Sequence, residues 1–241
     1  MNSTAQLPYA LVTGASYGIG FALTQKLLKT HRVIAVARTW GKLESLESAN
    51  LNFYQCDLSI TAQREDLISY IKETVPHLNL LVNNAGVQRE RALDGNQWQQ
   101  VSQEIELNLN APIHLTTALK DMLGQAQGAV VVHMGSVLGF CHRKASPIYS
   151  VTKAAIHQFS RVLSREAPEF RSIEFIPPMI ATDMTKERGH KGLMSAQDLA
   201  SFMLANLHQS GTVFVGKAKL ASLINKLAPS LLFKMMNGAK S

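Results

Sequence analysis

The 241-residue chain is 46% apolar and 17% charged, the balance of a globular protein with a buried core and not of a disordered or fibrous one. Its net charge of +7 permits attraction to phosphates, acidic carriers or anionic lipid, but no dense Lys/Arg stripe with interleaved aromatics argues for nucleic acid. Two cysteines, Cys56 and Cys141, supply neither a disulfide framework nor a metal-ligand spacing, so no metal is expected and both read as reduced thiols of a cytoplasmic protein.

The first residues, MNSTAQLPYALVTGAS, lack the basic region, apolar core and cleavage site of a secretory leader, and no apolar run is long enough to span a bilayer. Seven short apolar runs then read as strands: Tyr9–Thr13, Arg32–Ala37, Leu51–Cys56, Leu78–Val82, Gly128–Met134, Ile173–Ile176 and Thr212–Gly216. Several are continuously apolar, as strands covered on both faces must be. Helical periodicity fills the gaps at Ile19–Thr30, Ala62–Val75, Gln97–Gln125, Pro147–Ala167 and Ala196–Gln209. Strand–helix alternation of this kind predicts right-handed βαβ units on one parallel sheet with helices on both faces. With no internal repeat and no Pro/Gly/Ser-rich linker, residues 1–241 are expected to form one α/β domain.

The first strand runs into a glycine-rich turn, TGASYGIG, and then a helix. Gly14, Gly18 and Gly20 allow backbone N–H groups to approach a pyrophosphate, with the helix dipole aligned to its charge. The spacing differs from G-x-G-x-x-G, and glycines in a turn are weak evidence alone; the position after strand one gives them weight. The second strand ends AVARTW, with Arg38 at the tip and no acidic residue before Glu44. An acidic residue there would favour NAD, whereas an arginine can hold the 2′-phosphate of NADP. NADP(H) is therefore favoured over NAD(H), although Tyr17 in the turn adds no second positive charge. After the third strand, Asp57 stands where a carboxylate can reach an adenine amino group or cap the following helix.

In YSVTK, Tyr149 and Lys153 lie four residues apart and share a helix face. A cation beside a phenol makes its ionised form cheaper, though chance places such pairs on many helices. The set is more telling than its parts. TGASYGIG, CDLS, NNAG (Asn83–Gly86), ELNLNAP with Asn108, the GS ending at Ser136, and YSVTK follow one another in order. Asn108 precedes Tyr149 by 41 residues and Ser136 precedes it by 13. In this order and spacing, from Pro8 to about Thr185, the chain resembles the short single-domain branch of the short-chain dehydrogenase/reductase family.

The resemblance implies a Rossmann-type doubly wound sheet and an oxidoreductase that interconverts a ketone or aldehyde with an alcohol. Tyr149 would be the general acid or base. Lys153 would lower its pKa and hold the nicotinamide ribose; Ser136 would donate to the developing oxyanion; Asn108 would hold a water passing protons toward Lys153. The cofactor would lie along Gly14, Ser16, Tyr17, Gly18, Ile19, Gly20, Arg38, Asp57, Leu58, Asn84, Ala85, Gly86, Tyr149, Lys153, Ile180 and Thr182. Family members commonly pair through their two long helices, here Gln97–Gln125 and Pro147–Ala167, so a homo-oligomer is expected.

Two departures stand out. The family's Pro-Gly after strand six is Pro177–Pro178 here, so the loop must bend without a glycine. Beyond the last strand the chain continues through residues 216–241 as an amphipathic extension, with Leu220, Leu223, Ile224, Leu227, Leu231 and Met235 at helical spacing and Pro229 placed to kink or divide it. This extension reads first as a helix docked on the core; the alternatives are a lid over the substrate cleft and a basic surface for membrane contact.

Three strand-end loops carry positive charge: Arg89 and Arg91; His142, Arg143 and Lys144; Lys186, Arg188, His190 and Lys191. A solvated loop surface is the default, and the competing reading is an amphiphilic substrate with an anionic head, such as a 3-oxoacyl thioester. Outside enzymes, the alternative is a non-catalytic cofactor-binding sensor or scaffold, against which the presence of both Tyr149 and Lys153 argues. A serine hydrolase is set aside because GSVLG is not G-x-S-x-G.

Overall fold

The computed structural model describes residues 7–90, 97–181 and 193–238. Seven parallel strands form one sheet in the order β3-β2-β1-β4-β5-β6-β9: β1 (Tyr9–Thr13), β2 (Arg32–Ala37), β3 (Leu51–Gln55), β4 (Leu80–Asn83), β5 (Val130–Met134), β6 (Arg171–Ile176) and β9 (Gly211–Phe214). These correspond to the seven apolar runs of the sequence, with most ends shifted by a residue or two: β6 starts two residues before the expected Ile173, and β4 runs one residue past Val82. A separate two-stranded pair, β7 (Ile180–Ala181) with β8 (Met194–Ser195), was not foreseen.

Alternation within each strand sorts the core into two layers. Ala10, Val12, Val82, Val132 and Phe175 face α1 (Gly18–Leu27) and α7 (Ala196–Ala205). Leu11, Leu81 and Val131 face α2 (Thr61–Thr74) and the helices beyond residue 98. Where both faces are covered, as in β1, β2 and β5, the strands are apolar at most positions. Strand order reverses between β1 and β4, and the crevice outside their carboxyl ends is where open α/β sheets bind ligands.

The run expected as one helix over Gln97–Gln125 is three helices and a widened turn. α3 (Trp98–Ile105) passes through a π-helical turn at Glu106–Asn110 into α4 (Ala111–Ala118), and α5 (Lys120–Gly124) follows. Proline supplies a cause: Pro112 has no N–H to give the Asn108 carbonyl four residues earlier. The other long helix, α6 (Pro147–Glu166), is uninterrupted and starts with proline at its first position, where no N–H is needed.

The C-terminal extension is also divided. α8 (Ala218–Leu227) and α9 (Pro229–Asn237) meet at Ala228, whose non-helical backbone and the following proline stop the first helix. α9 is fastened to the loop after β5: Asn237 Oδ1 accepts from the Lys144 N–H at 2.7 Å, and Asn237 Nδ2 donates to the His142 carbonyl at 3.1 Å. Both cysteines are free and buried, and burial pushes the Cys56 thiol up to about 11. Among the described residues no group of His, Cys, Asp and Glu is placed to hold a metal, and no helix is long and apolar enough to cross a membrane.

Candidate active site

The glycine-rich turn needs its glycines. Gly14 and Gly18 adopt positive φ (64° and 56°), and a Cβ at Gly20 would stand 2.1 Å from the Gly14 carbonyl oxygen. Asn84 pins the turn from the end of β4, its Nδ2 donating to the carbonyls of Thr13 at 2.9 Å and Gly14 at 3.2 Å. Thr13 returns the tie: its buried Oγ1 accepts from the N–H groups of Asn84 and Ala85, both at 3.0 Å. Helix α1 then starts without a side-chain cap and without an acidic residue in its first turn. Its first N–H groups are orphans of the helix, and they fit the diphosphate of a dinucleotide.

Around this cradle lie the other residues expected to touch a cofactor. Arg38 is exposed just past β2. Lys42 was overlooked in the sequence: its N–H donates to the Ser16 carbonyl at 3.1 Å, which brings a second cationic residue against the turn. The Tyr17 ring packs over Gly41 from the turn side. Asp57 folds back locally, with Oδ1 accepting from Ser59 N at 2.9 Å and Ser59 Oγ at 2.7 Å, and Leu58 is buried beside it. Buried Arg64 holds this loop to the π-helical turn, donating to the Leu58 carbonyl at 2.6 Å and pairing with Glu106 at 2.9 Å. Ile180 is buried in β7. Thr182, along with Arg91, Lys186, Arg188, His190 and Lys191, lies outside the described residues.

Three elements, the π-helical turn, the end of the β5 segment and α6, bring Asn108, Ser136, Tyr149 and Lys153 to the same edge. Lys153 is buried; its Nζ donates to the Met134 carbonyl at 2.7 Å and stands 5.5 Å from the centre of the Tyr149 ring. Burial pulls the Lys153 ammonium down to about 8, with the buried Glu174 carboxylate opposing. Ser136 lies two residues past the end of β5 and caps the short turn Val137–Gly139, its Oγ accepting from Leu138 N at 3.1 Å. That turn rests on α6, since a Cβ at Gly139 would meet the Lys153 carbonyl at 2.9 Å.

The Asn108 side chain is engaged within the protein. Its side-chain amide brackets one residue, Oδ1 accepting from Val87 N at 2.9 Å and Nδ2 donating to the Val87 carbonyl at 2.8 Å. The side chain is thus a strut holding the segment after NNAG. A Cβ at Gly86 would come within 3.2 Å of Asn108 Oδ1 and 4.0 Å of Lys153 Nζ, so that segment passes closely over both.

Beneath the site runs a feature invisible in any one strand. Asn83, His133, Glu174 and Thr212 are register partners across β4, β5, β6 and β9, forming a polar row on one sheet face. Asn83 Nδ2 donates to Thr116 Oγ1 at 3.1 Å, while Glu174 Oε2 meets His157 Nδ1 at 2.6 Å and accepts from Thr212 Oγ1 at 3.3 Å. His133 is fully buried, and desolvation, with Lys153 nearby, holds its imidazole down to about 3. Glu174 packs against Gly135, immediately before Ser136.

The chain and its fold resemble known proteins. The family model described as short chain dehydrogenase matches residues 8–192. The uncharacterized oxidoreductase DltE of Bacillus subtilis is 34% identical over 213 residues, covering 83% of this chain and 84% of its own. The NADPH-dependent 1-acyldihydroxyacetone phosphate reductase of Saccharomyces cerevisiae is 33% identical over 192 residues, covering 74% of this chain and 63% of its own. Among solved structures, a short chain dehydrogenase from Burkholderia cenocepacia J2315 in complex with NADP superposes with a TM-score of 0.82 at 23% identity, over 96% of this chain and 98% of that one. The chain belongs to the short-chain dehydrogenase/reductase family, the NAD(P)-dependent oxidoreductases that share this doubly wound fold.

Proposed function

We propose that residues 1–241 form one catalytic domain, an NADP(H)-dependent carbonyl reductase, or alcohol dehydrogenase in reverse, with Tyr149 as the proton donor and acceptor. The observation that carries this reading is the buried Lys153 ammonium, bonded to Met134 O at 2.7 Å and set against the Tyr149 ring. The cofactor supplies or accepts the hydride. Tyr149 gives its proton to the substrate oxygen as charge builds there, and Lys153 offsets the phenolate that forms. Ser136 spends an Oγ lone pair on Leu138 N–H, which leaves its O–H to donate to the same oxygen. With the Asn108 amide engaged by Val87, its main-chain carbonyl, without a donor at Pro112, is the group to hold the water of a relay toward Lys153.

Arg38, exposed just past β2, and Lys42, bonded to the glycine-rich turn, support NADP(H) over NAD(H). An apolar or amphiphilic substrate is favoured by the similarity to a yeast enzyme whose name gives an acylated substrate. The described part of the basic rim speaks less for an anionic head: Arg143 pairs with Glu90 at 2.5 Å, and Arg89 donates to the Gln100 carbonyl at 2.7 Å. We place the enzyme in the cytoplasm as a homo-oligomer; exposed Trp98 on α3 and Val151 and Val162 on α6 support pairing through those helices.

The test is Tyr149→Phe. It should bind NADPH as the wild type does, measured by fluorescence titration, and reduce a panel of ketones and aldehydes about 100-fold or more slowly. Unchanged turnover would refute the role of Tyr149, and a wild type inert on the whole panel would favour a cofactor-binding sensor.

A further inference from the structure

Helices α8 and α9 turn their apolar side chains outward. Leu220, Leu223 and Leu227 on α8 are 59%, 52% and 77% exposed, and Leu231 and Met235 on α9 are 53% and 61% exposed. Their spacings of three and four residues place them on one stripe of each helix. A terminal helix docked on its core would bury that stripe. Here the inward positions are instead Ala218 and Leu232, with the Phe233 ring against His142. Clustered apolar side chains left in water mark a contact surface.

The charges of the same segment identify the partner. Between Gly216 and Gly238 the sequence holds Lys217, Lys219, Lys226 and Lys234 and no Asp or Glu. All four lysines are exposed. At about 100° per residue, Lys219 and Lys226 lie roughly 40–60° beyond Leu223, and Lys234 lies roughly 60° from Leu231. Lysines edging an apolar stripe can reach headgroups while the stripe enters the acyl boundary. Helices of ten and nine residues are only ~15 Å and ~14 Å long, about half a hydrocarbon thickness. They can lie in a membrane surface but not cross it.

We propose that the α8–α9 pair docks this protein onto the anionic surface of a phospholipid bilayer, the leucines among the acyl chains and the lysines at the headgroups. A second copy of the chain is the poorer occupant. A two-fold contact would set this patch against itself, with lysines on both sides and no carboxylate from the segment on either. Anionic headgroups supply the missing charge. The surface also adjoins the candidate site, since α8 packs on the Val137–Gly139 turn and α9 is bonded to His142 and Lys144. Docking would turn the loop after Ser136 toward the lipid. The inference rests on exposed side chains and charge, and stands or falls separately from the reductase reading.

Co-sedimentation with vesicles tests it, using the full chain and two variants, Lys219→Ala/Lys226→Ala and Leu223→Ser/Leu227→Ser. The wild type should bind phosphatidylcholine–phosphatidylglycerol vesicles, bind phosphatidylcholine vesicles weakly, and release as salt rises. The lysine variant should bind the anionic vesicles about 30-fold more weakly, and the leucine variant should lose binding. NADPH affinity and the thermal transition of both should stay at wild-type values, which separates docking from misfolding. A wild type that binds neither vesicle, or variants that bind like the wild type, would overturn the proposal. So would a dimer that dissociates in the leucine variant without any vesicle binding, which would assign the face to a second copy.

Discussion

The Lys153 ammonium donates to the Met134 main-chain carbonyl at 2.7 Å, tying the first turns of α6 to the end of β5. Ser136 follows two residues after Met134, and Tyr149 stands one turn before Lys153. One buried hydrogen bond therefore fixes the two edges of the candidate site relative to each other. It also keeps an ammonium out of water, which is a strained arrangement for a cation.

That strain has a measurable pH dependence. Burial depresses Lys153 from 10.5 to about 8, so between those values the unfolded chain holds the proton more tightly than the folded one. Stability from this group is reduced below pH 8 and recovers as pH rises toward 10.5. Lys153→Met lacks the linkage. In urea unfolding without cofactor, the stability difference should move toward the wild type by about 3 kcal/mol as pH rises through that window. A difference that stays flat with pH would contradict the burial of a charged Lys153.

His133 makes a prediction of the same sign on the acid side. Its folded pKa of about 3 lies below the ordinary 6.5, so its neutral form contributes stability above 6.5 that is lost as pH falls toward 3. His133→Leu should lower the pH midpoint of acid unfolding, followed by circular dichroism. A midpoint unchanged or raised would mean that other groups control acid unfolding.

Cofactor choice is assigned to Arg38 and Lys42 together. Arg38→Ala/Lys42→Ala should weaken NADPH binding by about 10-fold or more, as removal of charge-assisted bonds to a phosphate does, and leave NADH binding nearly unchanged. Isothermal titration with both cofactors reads the outcome. Equal losses for the two would mean that neither residue reads the 2′-phosphate.

Asn108 is predicted to matter for stability before chemistry. Asn108→Ala leaves the Val87 N–H and carbonyl without their present partners. Because the segment is only half-buried, the loss should be about 2 kcal/mol, seen as a lower urea midpoint. An unchanged midpoint would show that water replaces the amide at no cost.

The sheet was legible in the sequence because burial on both faces leaves a local mark. Runs such as Val130–Val132 and Val33–Val36 are apolar at every position, and no other arrangement of short strands requires that. Gly14, Gly18 and Gly20 were legible for a similar reason: the turn's own backbone geometry demands them. Tyr149 and Lys153 share a helix face by spacing alone.

The tertiary structure decided what depends on partners distant in the chain. Asn83, His133, Glu174 and Thr212 each look like an isolated polar residue in or beside an apolar run, and only strand register sets them in a row. Lys42 follows β2 by a few residues, yet its place beside Ser16 comes from a contact across the turn. Asn108 sits in a periodic helical run, and its role is set by Val87, 21 residues earlier. The stripe on α8 and α9 reads as a core face by period, but period reports only that one side of a helix is apolar. Which side meets the protein is settled by packing, and packing chose Ala218 and Leu232. Sequence thus determined the local geometry, through backbone and pattern; register and packing, which are sums over distant residues, determined what each side chain meets.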